Sequence, residues 1–199
     1  MVMPELELPG AALYYETAGQ ISSPAVLLIH SGLASLRMWD PLVPELASDH
    51  FVVRYDTRGY GRTVSTNAEY SNRSDAIDLL DHLGVERAAV VGSSRGGSIG
   101  IDLALEHPDR ITGLVTIGSV EGDPSSPPVG DRLGTLDLAA LIVVGEDDDV
   151  PALAHYDHLV ATIPGAEGCR FADAGHLPSV EHPAEFEAVL LSWLADKQL

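Results

Sequence analysis

A chain of 199 residues is long enough to bury one sizeable core and fits a single domain. Apolar residues make up 45% of it and charged residues 21%, which excludes a disordered chain. The formal net charge is −19, so nucleic acid and anionic membrane surfaces are disfavoured as partners by repulsion. The single cysteine, Cys169, excludes an internal disulfide and a multi-cysteine metal site, and is expected to be a small buried hydrophobe. Met1-Val2-Met3-Pro4-Glu5 carries neither a basic region nor an apolar stretch of signal-peptide length. No apolar run approaches the roughly 18 residues of a membrane span, and the expected location is the cytoplasm.

Along the chain, Leu13-Tyr14-Tyr15-Glu16-Thr17 alternates and reads as an antiparallel edge strand. Five runs that follow are nearly continuous in apolar residues: Val26 to His30, Phe51 to Tyr55, Ala88 to Val91, Ile111 to Ile117 and Leu141 to Val144. Such runs suit parallel strands covered on both faces. A last strand is expected at about Gly168 to Phe171. Helices are expected between them. These are Met38 to Ala47, Ser74 to Leu83 (capped by Ser74 or Asn72 and by Gly84), Arg95 to Glu106, Leu153 to Ile163, and Pro183 to Leu194. Alternation of strand and helix implies right-handed crossovers and a doubly wound, mostly parallel α/β sheet with helices on both faces. From Ser119 to Gly134 three prolines and three glycines argue against any regular element, so a loop is expected.

Gly92-Ser93-Ser94-Arg95-Gly96 is a G-x-S-x-G pentapeptide between a strand and a helix, the setting of a nucleophile elbow. There a sharp turn lifts the Ser94 hydroxyl above the carboxyl edge of the sheet, at the positive end of the following helix. Ser93 is the adjacent decoy. Serine needs a base, and the base should come last in chain order. His176, in Asp173-Ala174-Gly175-His176 after the last strand, fits that place. His107 and His182 precede prolines at helix boundaries and read as capping residues, His155 and His158 sit on a helix face, and His50 and His82 read as surface residues. An acid must orient the imidazole. Gly145-Glu146-Asp147-Asp148-Asp149 follows a strand directly, and the residues alone leave Asp147, Asp148 and Asp149 open. For an oxyanion hole, one amide is that of Arg95 and the other belongs to the loop His30-Ser31-Gly32-Leu33-Ala34-Ser35, where Gly32 permits close approach.

Together these residues resemble the α/β-hydrolase superfamily. The stretch from Val26 to Gly118 is similar to the 3-oxoadipate enol-lactonase and small carboxylesterase branch. The shared features are His30-Ser31, Met38-Trp39-Asp40, the run from Arg54 to Gly61, the elbow followed by Gly97, Gly145-Glu146-Asp147-Asp148, and Ala174-Gly175-His176 through Glu181-His182-Pro183. The resemblance implies that Asp148 is the acid and that Gly32 supplies the second oxyanion amide. It also implies that Asp56 and Arg58 form a structural turn. Leu33 and Trp39 are the expected substrate contacts, and no metal or cofactor is expected. Arg95 stands where relatives often carry Leu, Met or Gln, so it either attracts an anionic acyl group or only covers a helix face.

Relatives insert a helical cap after the strand Ile111 to Ile117, whereas the loop of about 119–136 leaves room for none. One core domain over 1–199, with an open and weakly selective site, is therefore expected. A homodimer closing over that face would cover apolar surface left bare. The expected activity is cleavage of a small-molecule ester, thioester or lactone through an acyl-enzyme on Ser94. The rival readings are perhydrolase or haloperoxidase-type chemistry on the same triad, carbon–carbon bond hydrolysis, and a non-catalytic binding protein that keeps the fold.

Overall fold

The structure, a computed structural model, describes residues 5–66, 68–120, 122 and 130–199. The described strands form one sheet: β1 (Glu5–Leu8), β2 (Ala11–Ala18), β3 (Ala25–Ile29), β4 (Phe51–Tyr55), β5 (Val64–Ser65), β6 (Ala88–Ser93), β7 (Ile111–Ile117), β8 (Ala139–Gly145) and β9 (Glu167–Phe171). Their order is β1-β2-β4-β3-β6-β7-β8-β9, with β5 paired to β2. From β4 through β9 every pairing is parallel, while β2 runs antiparallel to β1, β4 and β5.

The apolar runs are continuous because the sheet is buried on both faces, and successive side chains serve opposite cores. Leu27, Ile29, Val90, Leu114 and Ile142 join one cluster with Ala76, Leu79, Ile101, Leu103 and Leu159. Those partners lie on α2 (Asn72–His82), α3 (Arg95–Glu106) and α4 (Val150–Thr162). The intervening Val26, Leu28, Val91, Val115 and Val143 join the other cluster with Leu46, Phe186, Leu190 and Leu194. These come from α1 (Val43–Asp49) and α6 (Pro183–Lys197). A short helix, α5 (Pro178–Glu181), precedes α6.

The strand order reverses between β3 and β6: the chain leaves β3 toward β4 on one side and returns to β6 on the other. Connections that diverge there open a crevice at the carboxyl ends of the strands. Ser94 follows β6 and Gly32 follows β3, so both stand at this crevice.

Several expectations are corrected. β2 is not an edge strand, because β1 pairs outside it with Leu6 opposite Leu13. The helix expected over Met38 to Ala47 is split into a 3-10 turn (Leu36–Trp39) and α1, since Pro41 and Pro44 each suit only a first turn. α2 is capped by Ser71, whose Oγ accepts from the Ser74 amide at 3.4 Å, rather than by Ser74 or Asn72. α4 begins at Val150, earlier than expected, with Asp149 as its cap. A 3-10 helix at Gly130–Thr135 occupies the end of the stretch read as a plain loop. Burial of Leu133 and Leu136 in the first core outweighs the weak local propensity there. The rest of that stretch, Glu121 and 123–129, lies outside the described residues, as do Met1 to Pro4.

His50 is buried rather than at the surface: its Nδ1 meets the Leu46 carbonyl at 3.2 Å and its Nε2 the Leu199 carbonyl at 3.0 Å. Cys169 is half-buried on β9, and burial pushes its thiol above the ordinary value. No helix among the described residues is long and apolar enough to cross a membrane.

Candidate active site

Strand β6 ends in Ser93, which is fully buried, and the chain then turns sharply at Ser94. Ser94 has φ 51° and ψ −116°, a conformation that residues with a Cβ rarely adopt. The turn is held on both sides. The Ser94 amide donates to the Ile117 carbonyl at 2.6 Å, and the Ser94 carbonyl accepts from the Gly97 amide at 2.9 Å. Glycines make so close a strand-to-helix junction possible. A Cβ on Gly92 would lie 2.3 Å from the Gly96 carbonyl oxygen, and one on Gly96 would lie 2.2 Å from that of Ile29.

The loop after β9 brings His176 to this turn. Its Nε2 lies 2.9 Å from Ser94 Oγ, across 82 residues of sequence. Its Nδ1 lies 2.9 Å from Asp148 Oδ2 and 3.1 Å from Oδ1. A carboxylate only accepts, so Nδ1 carries the proton, and Nε2 is left to accept from the serine hydroxyl. The Asp148 side chain is 5% exposed and that of His176 36%, so the pair is dry on the acid side and open on the serine side.

The three aspartates separate cleanly by environment. Asp148 faces His176, Asp149 Oδ1 accepts from the Ala152 amide as the α4 cap, and Asp147 is exposed. The amide of Asp147 donates to the Ala174 carbonyl at 2.9 Å, which ties the acid loop to the base loop. Gly118, at φ 57°, lies under His176, where a Cβ would come 3.3 Å from the imidazole.

The two expected oxyanion donors are neighbours. A Cβ placed on Gly32 would lie 3.6 Å from Cβ and Cδ of Arg95 and 3.5 Å from the Tyr60 hydroxyl. Arg95 opens α3, so its amide belongs to the set that points outward from a helix N-terminus. The Arg95 guanidinium lies over the Tyr60 ring at 5.4 Å. Leu33 is 81% exposed beside this loop, free of the core. Trp39, expected as a substrate contact, is 1% exposed and packs with Val26, Leu28, Leu42 and Leu46, so that expectation is corrected: its ring is core.

His30 was legible only as the start of the oxyanion loop, and the structure gives it a function there. Its Nδ1–H donates to the Ser31 carbonyl at 2.7 Å, and Nε2 accepts from the Thr57 amide at 3.0 Å. That pair of bonds requires the neutral ring, and burial pushes its pKa below the ordinary value. Asp56 and Arg58 are structural, as the resemblance implies. Asp56 accepts from the Leu36 and Arg62 amides, and Arg58 makes a two-pronged ion pair with buried Asp75 at 2.7 Å. Among the described residues no three His, Cys, Asp or Glu side chains gather to hold a metal ion.

Residues 24–134 match the model of the alpha/beta hydrolase fold, and the chain belongs to that family. It is 40% identical over 104 residues to a fluoroacetate dehalogenase from Burkholderia sp, covering 48% of this chain and 34% of the relative. A 3-oxoadipate enol-lactonase 2 from Acinetobacter baylyi is 36% identical over 107 residues, 52% of this chain and 40% of that one. A putative carbamate hydrolase RutD from Caulobacter sp. is 40% identical over 111 residues, 53% and 41%. The chain thus matches only about a third to two-fifths of these relatives' length.

Among solved structures, the enol-lactonase from Burkholderia xenovorans LB400 superposes with a TM-score of 0.89 at 22% identity, covering 96% of this chain and all of that one. A hydrolase from Pseudomonas aeruginosa PA01 gives 0.87 at 26% identity, over 96% and 98%. The chain is a member of the α/β-hydrolase fold family and resembles its enol-lactonase branch.

Proposed function

We propose that the protein is a serine hydrolase that cleaves carboxylic esters, thioesters or lactones through an acyl-enzyme on Ser94. The observation that carries this is the Ser94–His176–Asp148 chain of contacts, each at 2.9 Å, with the serine on a strained turn. In this reading His176 Nε2 takes the Ser94 proton as Oγ attacks the carbonyl carbon. The resulting oxyanion is met by the Gly32 and Arg95 amides, each such donor being worth about 100- to 1000-fold in rate. The protonated imidazole then gives its proton to the leaving oxygen or sulfur. Water then attacks the acyl carbon as His176 Nε2 takes its proton, and the imidazolium delivers that proton to Ser94 Oγ as the acyl–oxygen bond breaks and the acid leaves.

The substrate is a small molecule. The chain is one α/β core with too little sequence between β7 and β8 for a helical cap, so acyl groups of differing length should be accepted with little discrimination. The test is a panel of p-nitrophenyl esters and lactones of graded acyl length, with labelling by a fluorophosphonate. Turnover and labelling at Ser94 are expected in the wild type and neither in Ser94→Ala. Turnover that survives in Ser94→Ala overturns the reading, as does a wild type inert to both esters and probe.

A further inference from the structure

The loop that carries His176 runs from Ala172 to Leu177, between β9 and α5. A loop of this kind has backbone amides to satisfy and no strand partner to satisfy them. Here two of them are taken by one side chain. The Gly175 amide donates to Glu181 Oε2 at 2.7 Å, and the Leu177 amide donates to Glu181 Oε1 at 2.8 Å. These are the residues immediately before and after His176. The Glu181 amide in turn donates to the Leu177 carbonyl at 2.9 Å, which closes a small ring of bonds around the histidine's backbone.

We propose that Glu181 is the positioning residue of the base: its carboxylate grips the amides on either side of His176 and so holds the imidazole between Asp148 and Ser94. This rests on the serine-hydrolase reading above and adds a residue to it. The physical basis is the geometry of the grip. Each carboxylate oxygen takes one amide, charge-assisted bonds of this length are the strong kind, and the two fix the Ala174–Gly175 and His176–Leu177 peptide planes, which bracket the Gly175–His176 pair. His176 is also bounded by Gly118 on one side, while the Ala174 carbonyl is tied to the Asp147 amide. Ala174 anchors the first half of the loop in the core, and Glu181, itself exposed, adds a restraint on its solvent side. A glutamine cannot replace it, because its single carbonyl oxygen accepts from one amide while its NH2 group opposes the other. In keeping with this, first the Gly175 and then the Leu177 amide hold the Glu181 carboxyl below the ordinary glutamate range.

The test compares Glu181→Gln with wild type. Turnover is normalised to the amount of Ser94 that a fluorophosphonate titrates, and the low-field proton of His176 Nδ1 against Asp148 is followed by NMR. Loss of position lowers kcat per titrated serine by roughly 10- to 100-fold, leaves KM within about twofold, and weakens or abolishes the low-field signal. If kcat per titrated serine equals wild type, the proposal is overturned. A fall in thermal midpoint with kcat per titrated serine unchanged marks a merely structural residue, and overturns it equally. If the wild type proves inert to esters and probe, the serine-hydrolase reading fails and the NMR signal alone decides: persistence in Glu181→Gln overturns the positioning role, and loss supports it. Should Glu181→Gln not fold, Glu181→Asp, one methylene short, carries the same comparison with the same expected fall.

Discussion

Adding one methyl group at Gly96 should slow the proposed hydrolase about 100-fold without removing any proposed functional group from the chain. A Cβ there would lie 2.2 Å from the Ile29 carbonyl oxygen and 2.7 Å from that of His30. Ordinary contact starts near 3.4 Å, so the two backbones must separate by about 1.2 Å in a close-packed interior. β3 cannot yield, because Ile29 is fully buried and the strand is paired on both sides by β4 and β6. The first turn of α3 must therefore retreat, and it takes with it Ser94, whose carbonyl is bonded to the amides of Gly97 and Ser98. A shift of that size takes Oγ out of the 2.9 Å contact with His176, and misplacement by about 1 Å costs on the order of 100-fold in rate. Overpacking adds roughly 1–3 kcal/mol of destabilisation. At about 2–4 °C per kcal/mol for a chain of this length, the thermal midpoint should fall by roughly 2–12 °C. The assay is kcat/KM on a p-nitrophenyl ester together with thermal melting of Gly96→Ala. Gly134→Ala is the control, since a Cβ there meets nothing nearer than the Thr162 carbonyl at 4.0 Å. Wild-type kcat/KM and midpoint in Gly96→Ala would refute the reasoning.

Two further outcomes follow from strain and from burial. Ser94→Gly should melt higher than Ser94→Ala by about 1 kcal/mol, or roughly 2–4 °C, because glycine adopts φ 51° without penalty and alanine does not. Equal midpoints for the two variants would remove the claim of stored strain. His30 is held neutral in the fold, so the unfolded chain binds a proton at higher pH than the native one. Stability is then fully present above about pH 6.5 and declines as the pH falls below it, with the Thr57 bond to Nε2 lost on protonation. Thermal melting between pH 7.5 and 5.5 should give a steeper decline in wild type than in His30→Gln, and parallel curves would contradict the assignment.

The strands were legible because a sheet buried on both faces needs apolar runs that helices and loops do not supply, and Phe51–Tyr55 and Ile111–Ile117 fall where expected. The elbow was legible because its pentapeptide is contiguous and sits between a strand and a helix, although Gly96 answers to the distant Ile29 carbonyl on β3. Other features depend on what packs from a distance. Nothing local tells a buried His50 from an exposed one when its partner is the Leu199 carbonyl, 149 positions on. Trp39 reads as a substrate contact until α1 and β4 are placed around it. Asp148 separates from Asp147 and Asp149 only once the start of α4 claims one carboxylate and His176 the other. Glu181 carried a weak signal, an acid five residues beyond a histidine, whose meaning lies in two backbone amides that no side-chain pattern records.

The position of β9 has a consequence for how the protein fails. It is the outermost described strand on its side of the sheet, paired only to β8, yet the loop it feeds holds the base. Outer strands open at lower cost than central ones, while Ser94 hangs from β6 in the middle. Warming should therefore silence the proposed hydrolase before it melts. Catalysis would be a gauge of one seam of the sheet, and a sample could keep nearly all its ordered backbone while its chemistry switches off and returns on cooling.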